Sequence, residues 1–516
     1  MIPKHLLKNS NLAWRYREIS SALRLKKELN NINTAFSSLE CSGDYNNKRI
    51  LVFTSVALFT DHLITEYVIA LAFQKLGATV EFALCEQEMP ICHAHDRYSC
   101  GYPVAAKKLK RVCDACSKSR TVFVDSAKCK VHTFKSSSLN VATDDQSTDE
   151  ISGSGAIRYM ASSMQDKSEH ADEIRNLYSK SFRVSQTSIG KVIDEFQPTI
   201  IIGHHGIYVP QGVVNRVAFE KKIDYYSWHF GYRRSTLIFS KGNTYHKELL
   251  FAKPPNNSLS PGQKHRIKSY LASRKKGTED WIHFNRDPSR SDVEFSNVRK
   301  RVCFFTSVDW DAALHFDNSV YNSQFEFLDD LINSVSKNEN IDFYIRIHPA
   351  EQSGFHPSSY PITKYFEENI KEKYPNLHII EASNKSSTYD IADEMDLCIV
   401  YNTKLAIELC ASGKRTIVAG DAWVKNRGFT WDICKVDDLD RFLEIDNVEM
   451  ASSEIEAALR FAYYFYFERC ISTPEIKSSG AKFQIGFHKD ALTLNSPVFD
   501  ICRKILNKND VITWNE

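Results

Sequence analysis

Three short runs in the second half of this 516-residue chain place reactive side chains where apolar stretches end. Arg346-Ile-His-Pro349 closes an apolar, aromatic run with a cation, an imidazole and a chain-stiffening proline. Tyr401-Asn-Thr-Lys404 follows Leu397-Cys-Ile-Val400 and precedes a segment that carries Glu408. Gly420-Asp to Gly428-Phe-Thr430 follows a second β-branched run and holds Lys425 and Arg427. Asn402 and Thr403 are N-cap residue types, and a helix starting at the carboxyl end of a strand offers amide donors to a phosphate. Arg346, His348, Lys404, Lys425 and Arg427 suit phosphate charge, and Glu408 suits ribose hydroxyls. Thr306-Ser-Val-Asp-Trp-Asp311 ends a further strand. Trp310 and Asp311 are expected to fix that loop or touch the ligand. The tripeptide Asp309-Trp310-Asp311 matches a short metal-holding pattern that is common by chance, so it receives no metal role and catalysis is expected to be metal-independent.

The first half offers Asp61-His62 after one strand and Gly203-His-His-Gly-Ile-Tyr-Val-Pro-Gln-Gly212 after another. Asp61 or His205 is placed to act as general base on a hydroxyl. His204, Tyr208, Gln211, Trp228 and Tyr232 are the expected acceptor contacts, because aromatic faces beside cations in Trp228-His-Phe-Gly-Tyr-Arg-Arg234 suit carbohydrate stacking. That run equally suits internal packing, and the two histidines equally suit turns. Cys92, Cys100, Cys113 and Cys116 form a plausible closed tetrahedral zinc set, structural rather than catalytic, within a Cys-rich insertion over 85–130.

The elements that must position these groups read as α/β. Strands are expected at Arg49–Phe53, Thr79–Leu84, Pro198–Gly203, Arg301–Thr306, Asp342–Ile347, Leu377–Ile380, Leu397–Val400 and Thr416–Ala419, with helices between them. The expected organisation is a helical lead-in (1–48), a first Rossmann-like domain (49–250), a polar connector (251–300), a second Rossmann-like domain (301–450) and C-terminal helices (451–516). Residues 135–165 read as flexible and 204–250 as loop-rich and aromatic. Two such halves predict a ligand cleft between them. Formal net charge is +2, which gives no electrostatic case for nucleic acid. No apolar run approaches membrane-spanning length and no signal-peptide pattern opens the chain, so a cytoplasmic location with thiols or metal rather than disulfides is expected.

Together, His205–Gly212, Trp310–Ala313, Arg346–Pro349, Tyr401–Thr403 with Glu408, and Gly420–Thr430 resemble bacterial capsule and surface-polysaccharide biosynthesis enzymes of GT-B type, especially capsular Kdo transferases. The resemblance spans most of residues 49–470. It implies nucleotide contacts for His348 and Pro349, and phosphate and ribose contacts for Asn402, Thr403 and Glu408. Lys404 departs from the family, where small residues are usual. The implied activity is transfer of a sugar from a nucleotide donor (a CMP-sugar such as CMP-Kdo, or a UDP-sugar) to a growing capsule or lipopolysaccharide glycan, with a lipid-linked acceptor and peripheral inner-membrane association. A sugar-nucleotide epimerase, a polyol-phosphate transferase and a non-catalytic assembly scaffold are the alternatives.

Overall fold

The computed structural model describes residues 11–512, apart from 55, 88, 100–105, 135–149, 164–168, 256, 277–278, 281–292, 296–297, 313, 315–318, 354–356, 371–373 and 479–483. The chain divides into two compact units. The first takes residues 1–159, 166–245 and 469–516; the second takes residues 160–165 and 246–468.

The first unit is built on strands β1 (Arg49–Phe53), β2 (Thr79–Cys85), β3 (Lys130–Phe134), β4 (Ile200–His204), β5 (Asp224–Phe230) and β6 (Thr236–Lys241). The apolar runs Ile50–Phe53 and Ile200–Ile202 are fully buried because helices cover both faces of a parallel sheet. The helix Thr60–Lys75 is apolar on every side from Leu63 to Phe73, apart from Thr65 and Glu66, and is buried accordingly.

The second unit is built on β7 (Lys300–Phe305), β8 (Ile341–Arg346), β9 (Leu377–Ile380), β10 (Leu397–Val400), β11 (Thr416–Val418) and β12 (Trp431–Asp432). These strands pair in the order β12-β11-β10-β7-β8-β9, all parallel. That is the doubly wound order with its switch point between β7 and β10. The last strands are β13 (Ile471–Ser472), β14 (Ile476–Ser478) and β15 (Ile485–Phe487). With β13 the first sheet runs β13-β6-β5-β4-β1-β2-β3. Its β3-β2-β1-β4-β5 portion repeats the same parallel order, with a switch point between β1 and β4 and antiparallel edges at β6 and β13. The α/β class with two Rossmann-like units is therefore the observed fold.

Several segments differ from the sequence reading. The Cys-rich stretch is not an insertion: its helices His93–Ser99 and Ala106–Ser126 are the crossover between β2 and its parallel neighbour β3, which parallel pairing requires. Residues 204–250 are not loop-rich but hold the helix Gln211–Glu220, β5 and β6. The connector over 251–300 holds the helix Pro261–Lys275, started by a Ser260–Gln263 capping box. Within 135–165, residues Glu150–Met160 are helical, and 135–149 and 164–168 lie outside the described residues. The C-terminal stretch is shared: the helix Ser452–Tyr463 belongs to the second unit, and residues from 469 onward belong to the first. Among the described residues, no helix is long and apolar enough to cross a membrane.

Candidate active site

In the second unit, the loops that follow β7 and β8 are joined at the carboxyl edge of the sheet, as are those that follow β10 and β11, and the Tyr401 hydroxyl donates to Tyr321 O (2.8 Å) between the two pairs. The Thr306 N–H donates to Arg346 O (3.1 Å), and the His348 N–H donates to Thr306 Oγ1 (2.9 Å). Asn402 Oδ1 accepts the Asp421 N–H. Gly420 is required beside it, since a Cβ there would lie 2.1 Å from Asn402 Oδ1. Gly420→Ala is expected to push the β10 and β11 loops apart, costing about 1–3 kcal/mol of stability. Denaturant unfolding checks this, and a midpoint equal to wild type would show the contact to be slack.

His348 is the best-placed group of this edge. Its Nδ1 accepts the Ala350 N–H at 3.1 Å, which leaves the ring hydrogen on Nε2 as a donor. Burial, followed by the cations Arg346 and Lys404, pushes its pKa down to about 4, against an opposing pull from Asp311. At neutral pH the ring is therefore uncharged. Asp311 and Asn402 are exposed, and Pro349, Thr403 and Lys404 are half-buried.

Other predicted donor residues are engaged within the unit. The Arg346 guanidinium donates to the carbonyls of Glu381, Asn384 and Ser386. Arg427 donates to Trp423 O, Ala252 O and Leu249 O and lies 4.2 Å over the Phe461 ring, so it fastens a loop. Lys425 pairs with Asp421 at 3.0 Å. Trp310 is buried and donates to Ser358 Oγ at 3.1 Å. Glu408 is 3% exposed, with Arg274 at 3.0 Å, Lys404 at 3.1 Å and the Tyr466 hydroxyl at 2.7 Å on one oxygen and the Tyr389 hydroxyl on the other. Burial alone would raise its pKa, but Arg274 and Lys404 outweigh it and hold the carboxylate at about 2. Both oxygens are taken by protein donors, a structural anchor rather than a ribose contact. The helix-start amides are also used: Leu405 N–H donates to Thr403 Oγ1 (3.3 Å), Ala406 N–H to Thr403 O (3.3 Å) and Ile407 N–H to Lys404 O (3.0 Å). That helix, Leu405–Ala411, has only seven residues.

In the first unit, the switch point between β1 and β4 carries a cluster of imidazoles. Ring centroids of His62 and His204 are 4.1 Å apart, His204 and His229 5.4 Å, and His205 and His229 4.8 Å. Burial, then His62, His229, His205 and His93, push the His204 pKa well down, so that ring is neutral. His205 adopts φ +62° and stands 5.3 Å from the Tyr208 ring. Gln211 Nε2 meets His93 Nδ1 at 3.0 Å. Trp228 is 1% exposed and donates to Glu66 Oε1 at 2.9 Å; it packs the core and offers no face for stacking a sugar. Tyr232 is half-buried with its hydroxyl 3.2 Å from that of Tyr245. Asp61 Oδ1 is held by Arg24 (2.9 Å) and the Ile485 N–H (2.8 Å), so its carboxylate ties elements together. Sequence reasoning missed His229 and Glu66. A lone Glu inside the apolar run Leu63–Phe73 was the available signal.

Of the predicted zinc ligands, Cys92, Cys113 and Cys116 line one small cavity, joined there by Cys85. Cys100 lies outside the described residues. Among the described residues, no group of three or more His, Cys, Asp or Glu side chains is drawn up to hold a metal ion.

Two doubly wound α/β units with loops gathered at their switch points define the class of this chain. No protein-family profile matches it, and no curated protein matches it. Among solved structures it is similar to a KpsC β-Kdo 2,4 transferase from Thermosulfurimonas dismutans, at 14% identity over 60% of this chain and 87% of that one, with a TM-score of 0.37. It is also similar to a UDP-GlcNAc 2-epimerase from Neisseria meningitidis bound to UDP-GlcNAc (12% identity, 90% and 100% covered, TM-score 0.29). A sucrose-phosphate synthase from Thermosynechococcus elongatus is a third (7%, 81% and 95%, 0.29). Similarity of this degree assigns no residue a role.

Proposed function

We propose that the chain is a GT-B-type glycosyltransferase that binds a nucleotide sugar on its second unit and a surface-polysaccharide acceptor on its first. What supports this reading most is the convergence of the β7, β8, β10 and β11 loops at the switch point of the second sheet, where open α/β sheets hold nucleotides. His348 Nε2–H donates to the nucleotide, Asp311, Asn402 and Thr403 add polar contacts, and Lys404 supplies positive charge. Loss of the diphosphate- or monophosphate-linked leaving group is eased by these fixed dipoles, without a metal ion. On the first unit His205 takes the proton of the acceptor hydroxyl, and Asp61, being ion-paired, positions the helix behind it. A CMP-sugar or UDP-sugar donor and a lipid-linked acceptor at the inner membrane face complete the proposal.

The test is calorimetric titration with CMP, UDP and GDP. One of them is expected to bind wild type, and His348→Ala to weaken it about tenfold or more, the worth of one hydrogen bond to a charged group. Unchanged affinity in that variant would remove the assignment. Conversion of a nucleotide sugar with no acceptor present would favour the epimerase instead.

A further inference from the structure

The geometry points to a structural zinc site of four thiolates, Cys85, Cys92, Cys113 and Cys116, in the β2-to-β3 crossover of the first unit. It is independent of the nucleotide-sugar reading. Three separate pieces of chain bring these thiols together. Cys85 ends β2, Cys92 precedes the helix His93–Ser99, and Cys113 and Cys116 sit three residues apart on the helix Ala106–Ser126. That spacing puts both on one helix face. All four line the same cavity, with His95 and Arg120 beside them. The cavity holds about 20 Å³, room for one water-sized body and hence for one ion.

The surroundings suit a metal thiolate. His95 is held by backbone at both nitrogens: Nδ1 accepts the Cys92 N–H (2.9 Å) and Nε2 faces Leu109 O (3.2 Å). That Nε2 also stands 3.6 Å from Cys113 Sγ, so the ring supports a sulfur rather than replacing one as ligand. Four thiols lose four protons to solvent on binding the dication, which leaves the site with net negative charge. Arg120 lies at the cavity, anchored by bonds to Cys85 O and Ser117 Oγ, both 2.9 Å. The four cysteines line the cavity, but their side chains are not drawn together as a ligand set. Rotation between staggered χ1 wells re-aims each thiol, and tetrahedral Zn–S bonds of about 2.3 Å would then close the shell. A full shell leaves no open coordination position. The metal would add a clamp between β2 and its crossover helix to those that the Phe82–Phe123 ring contact (5.0 Å) and the Arg120 bond to Cys85 O already make.

Elemental analysis of the full chain, purified without chelator, tests the site. About one zinc per chain is expected. Cys85→Ser and Cys113→Ser are expected to lose it, while Cys100→Ser and Cys129→Ser keep it. Because a variant can fail to fold, the wild type is also stripped and refilled with Co²⁺. Intense near-ultraviolet sulfur-to-cobalt bands and the visible bands of a tetrahedral site are expected. Folded wild type that carries no zinc and binds no Co²⁺ would overturn the proposal. So would iron with sulfide in place of zinc, or zinc that survives Cys85→Ser but is lost in Cys100→Ser.

Discussion

Glu408→Ala is expected to cost about 3–5 kcal/mol of folding free energy, the range for breaking a buried ion pair from one side. The substitution strands Arg274 and Lys404 beside the space the carboxylate filled. Arg274 is 8% exposed, and its remaining acid, Asp280, already shares the Tyr270 hydroxyl. The cluster fastens the helix Pro261–Lys275 and Tyr466 to the helix Leu405–Ala411, so the loss falls on the second unit. Urea unfolding reads it. A quadruple change of Arg274→Met, Asp280→Asn, Lys404→Met and Glu408→Leu removes the charges of the cluster at similar volume and should recover much of the loss. A Glu408→Ala midpoint within experimental error of wild type, with nucleotide affinity reduced, would restore the ribose role and refute the anchor.

Glu66→Gln is expected to flatten the pH dependence of the first unit's stability. Burial pushes the Glu66 carboxyl up to about 8 from 4.5, although bonds from Thr54 and Trp228 pull the other way. The folded chain therefore keeps a proton that the unfolded chain releases above pH 4.5. This contribution is complete below pH 4.5 and is lost as pH rises through 8, on the order of 5 kcal/mol across the window. Glutamine mimics the protonated acid, so the variant should gain on wild type as pH climbs. His348 acts in the opposite sense: its contribution is lost as pH falls from 6.5 through about 4. The useful quantity is therefore the difference between variant and wild type at each pH. A constant difference between pH 4.5 and 8 would mean that Glu66 is ionised throughout.

The strands were legible where they were short and apolar, buried as Leu397–Val400 is or partly exposed as Leu377–Ile380 is. Leu377–Ile380 and Leu397–Val400 were read with the boundaries that the structure has. Asp224–Phe230 and Thr236–Lys241 were missed because their aromatic and polar residues look like a binding surface. In fact Trp228 and Tyr226 point into the core, and β6 pairs antiparallel to β5. The polar connector expected over 251–300 contains Ser260-Pro261, and serine before proline is how a helix begins. For the site, residue type gave the loops but not the direction of each side chain. Arg346 and Arg427 look like phosphate ligands in sequence, and only tertiary structure reveals the backbone carbonyls that absorb their donors. His348 was singled out because a strand ends just before it and a proline follows it, and the structure places it in the loop after β8. His229 reaches His204 and His205 only through the pairing of β4 and β5, so no local pattern announces it, whereas Glu66 stands out as a lone acid in an apolar run.

The first unit is closed by residues far along the chain from its opening strands. Asp61 waits for the amide of Ile485, which lies 424 residues further along the chain, and β6 waits for β13 to cover its edge. At about 5–20 residues per second, a ribosome needs on the order of 20 to 85 s between Asp61 and Ile485. The second unit, by contrast, is complete at residue 468. During synthesis the sheet of the second unit thus has all its strands before that of the first, and the β6 edge stays open until β13 is made. Chains halted after residue 468 would carry a finished second unit beside an unfinished first one, and would be the species that chaperones and proteases meet.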